Sequence, residues 1–478
     1  MSFKQDNYLT LFSELSVAEQ IRFSKDIPHL FREDSLHRRL FDLIKEMQDP
    51  LKFDKEQVRR AFFPEVDRKK ALQKLSALLS DLNQQLKQFL LQLHLEKLTI
   101  ERELTLHDIM VERKQKMAAE SHLKAALNML ADAPLSIERH LLSLQIHMQN
   151  YFSPYTDKSK DGAAKIQQMS DAVDELYHSF KLKLAIEALS RGEVLREFSI
   201  LGSTQLEKLL DANIYQGAEL TQIYRNIYIL FSKQKAPTQK ILDQLFSSNV
   251  NKLEKTEQAY CLNLLLTINA QRIKRGKEGA YQTQYELYQI GLETSILTPD
   301  DFLSAERFLN FINTACESGK IDEAKTFMDR WVKQVTPDIY REEVEFLAKA
   351  RIEFAGGNYE NVQDLLQVFK PTHLFGEIWT RSLLVRNAYM LDDADKTIDY
   401  CNSFGRYLGL HNNEKSEIQK KKKVGVETER SLRSFLNTMK QLANYLHYKK
   451  IPVEFKERVE NEEMAYKQWV MAQILKKS

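Results

Sequence analysis

The chain has 478 residues, with 69 Lys and Arg against 67 Asp and Glu, a formal net charge of +2, and only 14 Gly and 10 Pro. So even a balance generates no global field to concentrate nucleic acid or an anionic membrane, and any such role would need a local patch. The scarcity of breakers, beside abundant Leu, Lys, Glu, Gln and Ala, predicts long helices with short connections.

Three cysteines, Cys261, Cys316 and Cys401, are odd in number and far apart. That arrangement gives neither a disulfide framework nor a CxxC metal spacing, and it fits a reducing compartment. The first fifteen residues lack a secretory apolar core and no later run approaches 18 apolar residues, so the expectation is a soluble cytoplasmic protein that does not enter a membrane.

In chain order, Ser16-Val17-Ala18-Glu19 reads as a capping box opening a helix. Helices are predicted around 35–47 and 54–63, the second stopped by Phe62-Phe63-Pro64, where proline forbids continuation. From Asp67, Leu72, Leu75, Leu79, Leu82, Leu86, Phe89 and Leu93 alternate steps of three and four. Such a seam suits a coiled coil, but Leu78, Leu90, Leu91 and Leu95 widen it toward a face buried among several helices of the same chain. Further helices are expected over 100–116, 118–131 and 137–151. The polar stretch 153–162 then marks a soft boundary before a long helix from about Ala163 to Ser190. Helix pairs follow to a basic turn at Arg272-Ile273-Lys274-Arg275-Gly276-Lys277, where Gly276 suits a left-handed cap and the cations suit a helix C-terminus.

Two signatures 38 residues apart organise the C-terminal half: Gly319-Lys320-Ile321-Asp322-Glu323-Ala324 and Gly357-Asn358-Tyr359-Glu360-Asn361-Val362. Each places Gly at a turn, a large apolar residue two positions on and a small or branched one three further, as in tetratricopeptide (TPR) helix pairs. Their next equivalent falls at Asp392, 35 residues on, against about 34 in the standard motif. Thr298-Pro299-Asp300 and Thr336-Pro337-Asp338 match an N-cap hydroxyl, a first-position proline and a first-turn acid, and are expected to open the first helices of successive pairs. After a helix to about Leu408 come a basic stretch with Lys420 to Lys423, an amphipathic helix with Phe435, Met439, Leu442 and Leu446 on one face, and a last helix to about Leu475.

The run Phe53 to Leu90, with FFPE and KKALQKLSALLSDLNQQLKQFL, together with NSFGRYL (402–408) and SFLNTMKQLANYL (434–446), resembles a family of bacterial all-helical TPR-like repeat proteins of roughly 500 residues with no assigned activity. The resemblance implies helical repeats and adds no chemistry. Asp392-Asp393-Ala394 departs from the Gly, polar, aromatic pattern that a third repeat would prefer.

No HExxH, GxSxG or phosphate-loop spacing is present, so no enzyme is expected. His140 with His147, and Glu103 with His107, share helix faces, but neither pair has the third ligand a metal requires, so no metal or cofactor is expected. Asp54 to Phe63 followed by the helix with Arg68, Lys69, Lys70 and Lys74 has a helix-turn-helix outline. Asp54, Glu56, Glu65 and Asp67 dilute its charge, so nucleic acid is not the favoured partner. Lys420 to Lys423 lacks interleaved aromatics and reads as a solvated connection.

In TPR-like pairs the first helix lines a concave face, and positions six before the turn glycine point into it: Asn313, Arg351 and Arg386. Three residues on come Cys316, Phe354 and Tyr389. With no carboxylate on that stripe, Asn313, Arg351, Phe354, Arg386 and Tyr389 form a candidate receptor for an acidic or C-terminal peptide segment, since guanidinium binds carboxylate in two-pronged fashion. The competing reading pairs these arginines with acids of neighbouring helices. The sequence therefore predicts an all-α chain, a right-handed α-solenoid of TPR-like pairs: an N-terminal helical subdomain (1–152), central pairs (163–297), TPR-like repeats (298–410) and capping helices (411–478). Its expected role is a non-catalytic protein-interaction scaffold, the alternative being a transcriptional regulator with a DNA-binding N-terminal region and a TPR-like sensor or oligomerisation domain.

Overall fold

Side-chain caps open several of the helices. The computed structural model describes residues 7–47, 49–156, 158–195, 219–233, 235–238, 241–243, 253–368, 371, 374–412, 426–446 and 451–476. These residues are almost entirely helical, as the dearth of Gly and Pro predicts, and among them no helix is long and apolar enough to cross a membrane. The chain divides into two units, residues 1–132 with 148–162, and residues 133–147 with 163–478.

The first unit contains α1 (Asn7–Ser13), α2 (Val17–Leu30), α3 (Leu36–Glu46), α4 (Lys55–Phe62), α5 (Arg68–Lys97), α6 (Thr99–Glu112) and α7 (Lys116–Asp132). The Ser16 capping box forms: the Ser16 hydroxyl accepts from the Glu19 N–H, and the Glu19 carboxylate accepts from the Ser16 N–H at 2.9 Å. Asp54 and Asp67 cap α4 and α5 with their carboxylates, which accept from the Glu56 and Gln57 N–H groups and from the Lys69 and Lys70 N–H groups. The leucine face of α5 is buried within the chain: Leu75, Leu78, Leu79, Leu82, Leu86 and Phe89 pack with Tyr8, Phe12, Phe23, Phe41 and Ile44. Leu91 and Leu95 of the same helix stay exposed. Helices α6 and α7 pack along each other, and the unit also takes the C-terminal end of α8 (Ile137–Phe152) and the first turn of α9 (Lys158–Leu195).

The second unit carries the rest of α8 and α9, then α10 (Glu219–Lys233), α11 (Lys255–Lys274), α12 (Ala280–Glu293), α13 (Ala305–Glu317), α14 (Ile321–Trp331), α15 (Arg341–Ala355), α16 (Tyr359–Val368), α17 (Leu374–Met390), α18 (Ala394–Asn412), α19 (Val426–Asn444), α20 (Val453–Asn461) and α21 (Lys467–Leu475). Consecutive helices pack as pairs, α11 on α12, α13 on α14, α15 on α16 and α17 on α18. The first helices also pack on one another in a row, α13 on α15 and α15 on α17.

Four turns share one design. Gly276, Gly319, Gly357 and Asp392 have φ of 69°, 74°, 82° and 56°. After each, the next N–H reaches back five residues: Lys277 to Arg272 O, Lys320 to Ala315 O, Asn358 to Glu353 O and Asp393 to Ala388 O. This is the hydrogen bond that closes a helix through a left-handed residue. Asp392 adopts the geometry glycine favours, and Asp393 then caps α18 by accepting from the Lys396 N–H at 2.9 Å.

The Thr-Pro-Asp segments depart from expectation. Pro299–Asp301 and Asp338–Tyr340 form single 3₁₀ turns, and the helices begin later, at Ala305 and Arg341. Ser304, whose hydroxyl accepts from the Arg307 N–H, is the true cap of α13. Thr336 is held extended instead, because β1 (Leu303–Ser304) and β2 (Val335–Thr336) pair in parallel. Lys420 to Lys423 lie outside the described residues.

Candidate interaction groove

The row of first helices brings the predicted stripe together and places it under cover. Arg351 and Arg386 are each 2% exposed, and Phe354 and Tyr389 are also buried; Asn313 is partly so. The open carboxylate receptor expected from the sequence is therefore already filled from within. Glu317, the last residue of α13 and one turn beyond Asn313, puts its Oε1 2.6 Å from Arg351 Nη2 and 3.5 Å from Arg386 Nη1. Asn313 Oδ1 accepts from Arg351 Nε at 3.0 Å. Residues four apart on a helix are neighbours on its surface, so Glu317 shares the face that the stripe pattern assigned to Asn313 alone.

The two guanidiniums are not equivalent. Burial is the largest influence on Arg351 and opposes its charge, but Glu317 together with Cys316, Tyr281 and Tyr466 outweighs it and holds this pKa above the ordinary value. For Arg386 burial dominates and pushes the pKa down, and its acceptors are distant, Glu317 at 3.5 Å and the Ser382 carbonyl at 3.4 Å. Aromatic faces supply what oxygen does not. The Arg386 guanidinium lies 4.0 Å from the Tyr466 ring centroid, 5.2 Å from Phe354 and 5.9 Å from Trp469. Cation–π attraction gains strength where water is excluded.

Tyr466 and Trp469 belong to the C-terminal segment, which occupies the stripe. Trp469 sits 6.2 Å from Phe354 and 5.9 Å from Tyr389, centroid to centroid. Around it the segment is pinned to the turn after α11. Arg275 donates to Glu463 at 2.8 Å, and Gln468 Nε2 donates to the Lys277 carbonyl at 2.5 Å. A Cβ on Gly276 would come within 3.1 Å of the Lys467 stem. That glycine therefore serves both the positive φ and the close approach of the segment. Val470 and Ile474 complete the seat by joining the core with Phe404, Phe435 and Met439.

Three of the four His and Glu side chains weighed as metal ligands have structural partners, while the Nδ1 of the fourth, His147, is buried without a hydrogen-bond partner among the described residues. The His107 ring bonds to the Ala119 carbonyl at 2.9 Å, Glu103 pairs with His122 at 2.7 Å, and His140 pairs with Glu175 at 3.3 Å. Among the described residues no three His, Cys, Asp or Glu side chains converge as metal ligands would. In the helix-turn-helix outline Glu56 engages both Arg59 (2.9 Å) and Arg68 (2.5 Å), which removes local positive charge. A buried cluster that sequence reasoning missed surrounds Glu257, which accepts from Lys183 Nζ at 2.8 Å and from the Tyr224 hydroxyl. Lys183 also lies 4.7 Å from the Tyr260 ring. Each charge there has its counterpart, so the cluster reads as a compensated core contact.

Searches against protein-family models, curated proteins and solved structures return no match to this chain, so its function has to be argued from the geometry alone.

Proposed function

We propose that the chain is a non-catalytic protein-interaction scaffold, a right-handed solenoid of TPR-like helix pairs behind an N-terminal helical subdomain, similar to the bacterial repeat proteins its motifs resemble. Its concave groove receives a short helical segment bearing aromatic residues, and its own residues 463–475 are the resident occupant. One observation carries this reading. Arg386, deep in the groove, has distant oxygen acceptors and a tyrosine face at 4.0 Å. The groove thus holds a cation matched to an aromatic helix. Because Glu317 already satisfies Arg351, the partner chemistry shifts from an acidic tail toward an aromatic-bearing helix that competes with the resident one.

The test is to lock the occupant. Lys277→Cys and Gln468→Cys place thiols on either side of the contact between those residues. The three native cysteines are buried, so a cleavable thiol cross-linker of short reach would act selectively. The locked full-length chain should lose partners that the unlocked chain captures, and reductive cleavage should restore them. Undiminished capture by the locked chain would refute binding in the groove.

A further inference from the structure

Helix α9 has two apolar faces, and the fold covers one of them. Within the second unit, Ala172, Ser179, Leu182 and Ile186 are buried along one side. On the opposite side Ile166, Val173, Tyr177, Phe180 and Leu184 are exposed, at 46–50% each. Their spacing of seven, four, three and four is that of a coiled-coil seam. At 3.6 residues per turn the five fall within an arc of about 60°, narrower than the roughly 100° face a helix presents to a protein core. A seam of this width fits one further helix.

We propose that this helix is α9 of a second copy, paired antiparallel about a two-fold axis between Tyr177 and Phe180. In that register Tyr177 meets Phe180 of the second copy, and Val173 meets its Leu184. Charge selects the direction. One flank of the seam carries Asp174 and Lys181, seven residues apart. An antiparallel two-fold sets Asp174 of each copy beside Lys181 of the other, so the pair forms twice. A parallel pairing would instead place Asp174 beside Met169 and Lys181 beside Leu176, and both pairs would be lost. Size is adequate as well. On ordinary side-chain areas the five residues would bury on the order of 900 Å² over two copies, and the flanking residues bring the contact past the ~1,000 Å² expected of a specific interface. The pairing does not depend on what the groove binds.

Light scattering on the full-length chain tests it. The expected mass is that of two chains of 56.0 kDa. Phe180→Asp should yield a monomer whose melting curve matches that of the wild type diluted until it dissociates, because the side chain is already exposed in the single chain. Asp174→Lys and Lys181→Asp should each weaken pairing about tenfold or more, and the two combined should restore it. A monomeric wild type at tens of micromolar, or a Phe180→Asp chain that melts earlier than the dissociated wild type because the seam is covered within its own chain, would overturn the proposal. A dimer indifferent to the charge swaps would overturn the antiparallel register. A monomer that takes up a different protein through Phe180 would replace the second copy as occupant.

Discussion

Replacing Glu317 by Gln isolates the charge between the two buried arginines. The Glu317 side chain is 12% exposed and the side chains of its two arginine partners 3% each, at 2.6 and 3.5 Å. Opposite unit charges about 3 Å apart attract by roughly 5–6 kcal/mol at an effective dielectric of about 20, and desolvation reclaims part of that. The informative quantity is the cost of stranding the cations, about 3–5 kcal/mol when one partner of a buried pair is removed. Glu317→Gln should therefore destabilise the second unit by about that amount, with little change in its helix content before unfolding. All three tryptophans, Trp331, Trp379 and Trp469, lie in that unit. Tryptophan fluorescence during urea unfolding consequently reports on it selectively. Adding Arg386→Met should recover at least ~1 kcal/mol relative to additivity, since it removes the less satisfied cation. A loss below about 1 kcal/mol for Glu317→Gln, or strict additivity with Arg386→Met, would show that the arginines are not held by this carboxylate.

Two helical glycines should respond with opposite signs. A Cβ at Gly405 of α18 meets nothing within 4 Å, so Gly405→Ala should stabilise by about 0.5–1 kcal/mol; a Cβ at Gly291 of α12 would fall 2.4 Å from Leu297 and 2.7 Å from Leu262, so Gly291→Ala should cost about 1–3 kcal/mol. Equal effects in urea melts would contradict the packing around Leu297. Burial pushes the thiols of Cys261 and Cys316 up and that of Cys401 up to about 12. A thiol reagent at pH 8 should accordingly label none of them until the chain unfolds, and fast labelling of the native chain would refute their burial. The hydrogen bond with His122 outweighs burial and holds the Glu103 carboxyl below its usual value. A depressed folded-state pKa contributes stability above about pH 4.5 that is lost as pH falls through the folded value. Hydrogen-exchange protection factors in α6 and α7, corrected for the pH dependence of intrinsic exchange, should therefore fall on acidification in the wild type and less so in Glu103→Gln; identical acid profiles would remove the pair from the account.

Features governed by neighbours in sequence were legible, and those governed by what covers a face were not. The turns at Gly276, Gly319, Gly357 and Asp392 could be read because a left-handed cap draws its hydrogen bonds from residues within one turn. The stripe could be read because 3.6-residue periodicity determines which side chains share a face. Periodicity is silent on what lies opposite. The segment bearing Tyr466 and Trp469 reaches the stripe from about 80 residues beyond Arg386, and no local pattern announces that approach. Glu317 lies one turn past Asn313, and a stripe defined by three-residue steps omits this four-residue neighbour. The Thr-Pro-Asp motifs misled for a related reason. Their cap chemistry was sound, but a two-residue strand pair between distant segments claimed Thr336 first. The contrast between α5 and α9 shows what stripe width adds to periodicity. Both carry apolar residues at steps of three and four, yet the wide leucine face of α5 meets several helices of its own chain, whereas the narrow outer seam of α9 has the width for one. Divided into two opposed faces, the apolar residues of α9 place Val173, Tyr177, Phe180 and Leu184 on one seam by spacing alone. An amphipathic helix needs one such face to fold, so a second, narrower one on the opposite side calls for a reason outside that helix's own packing.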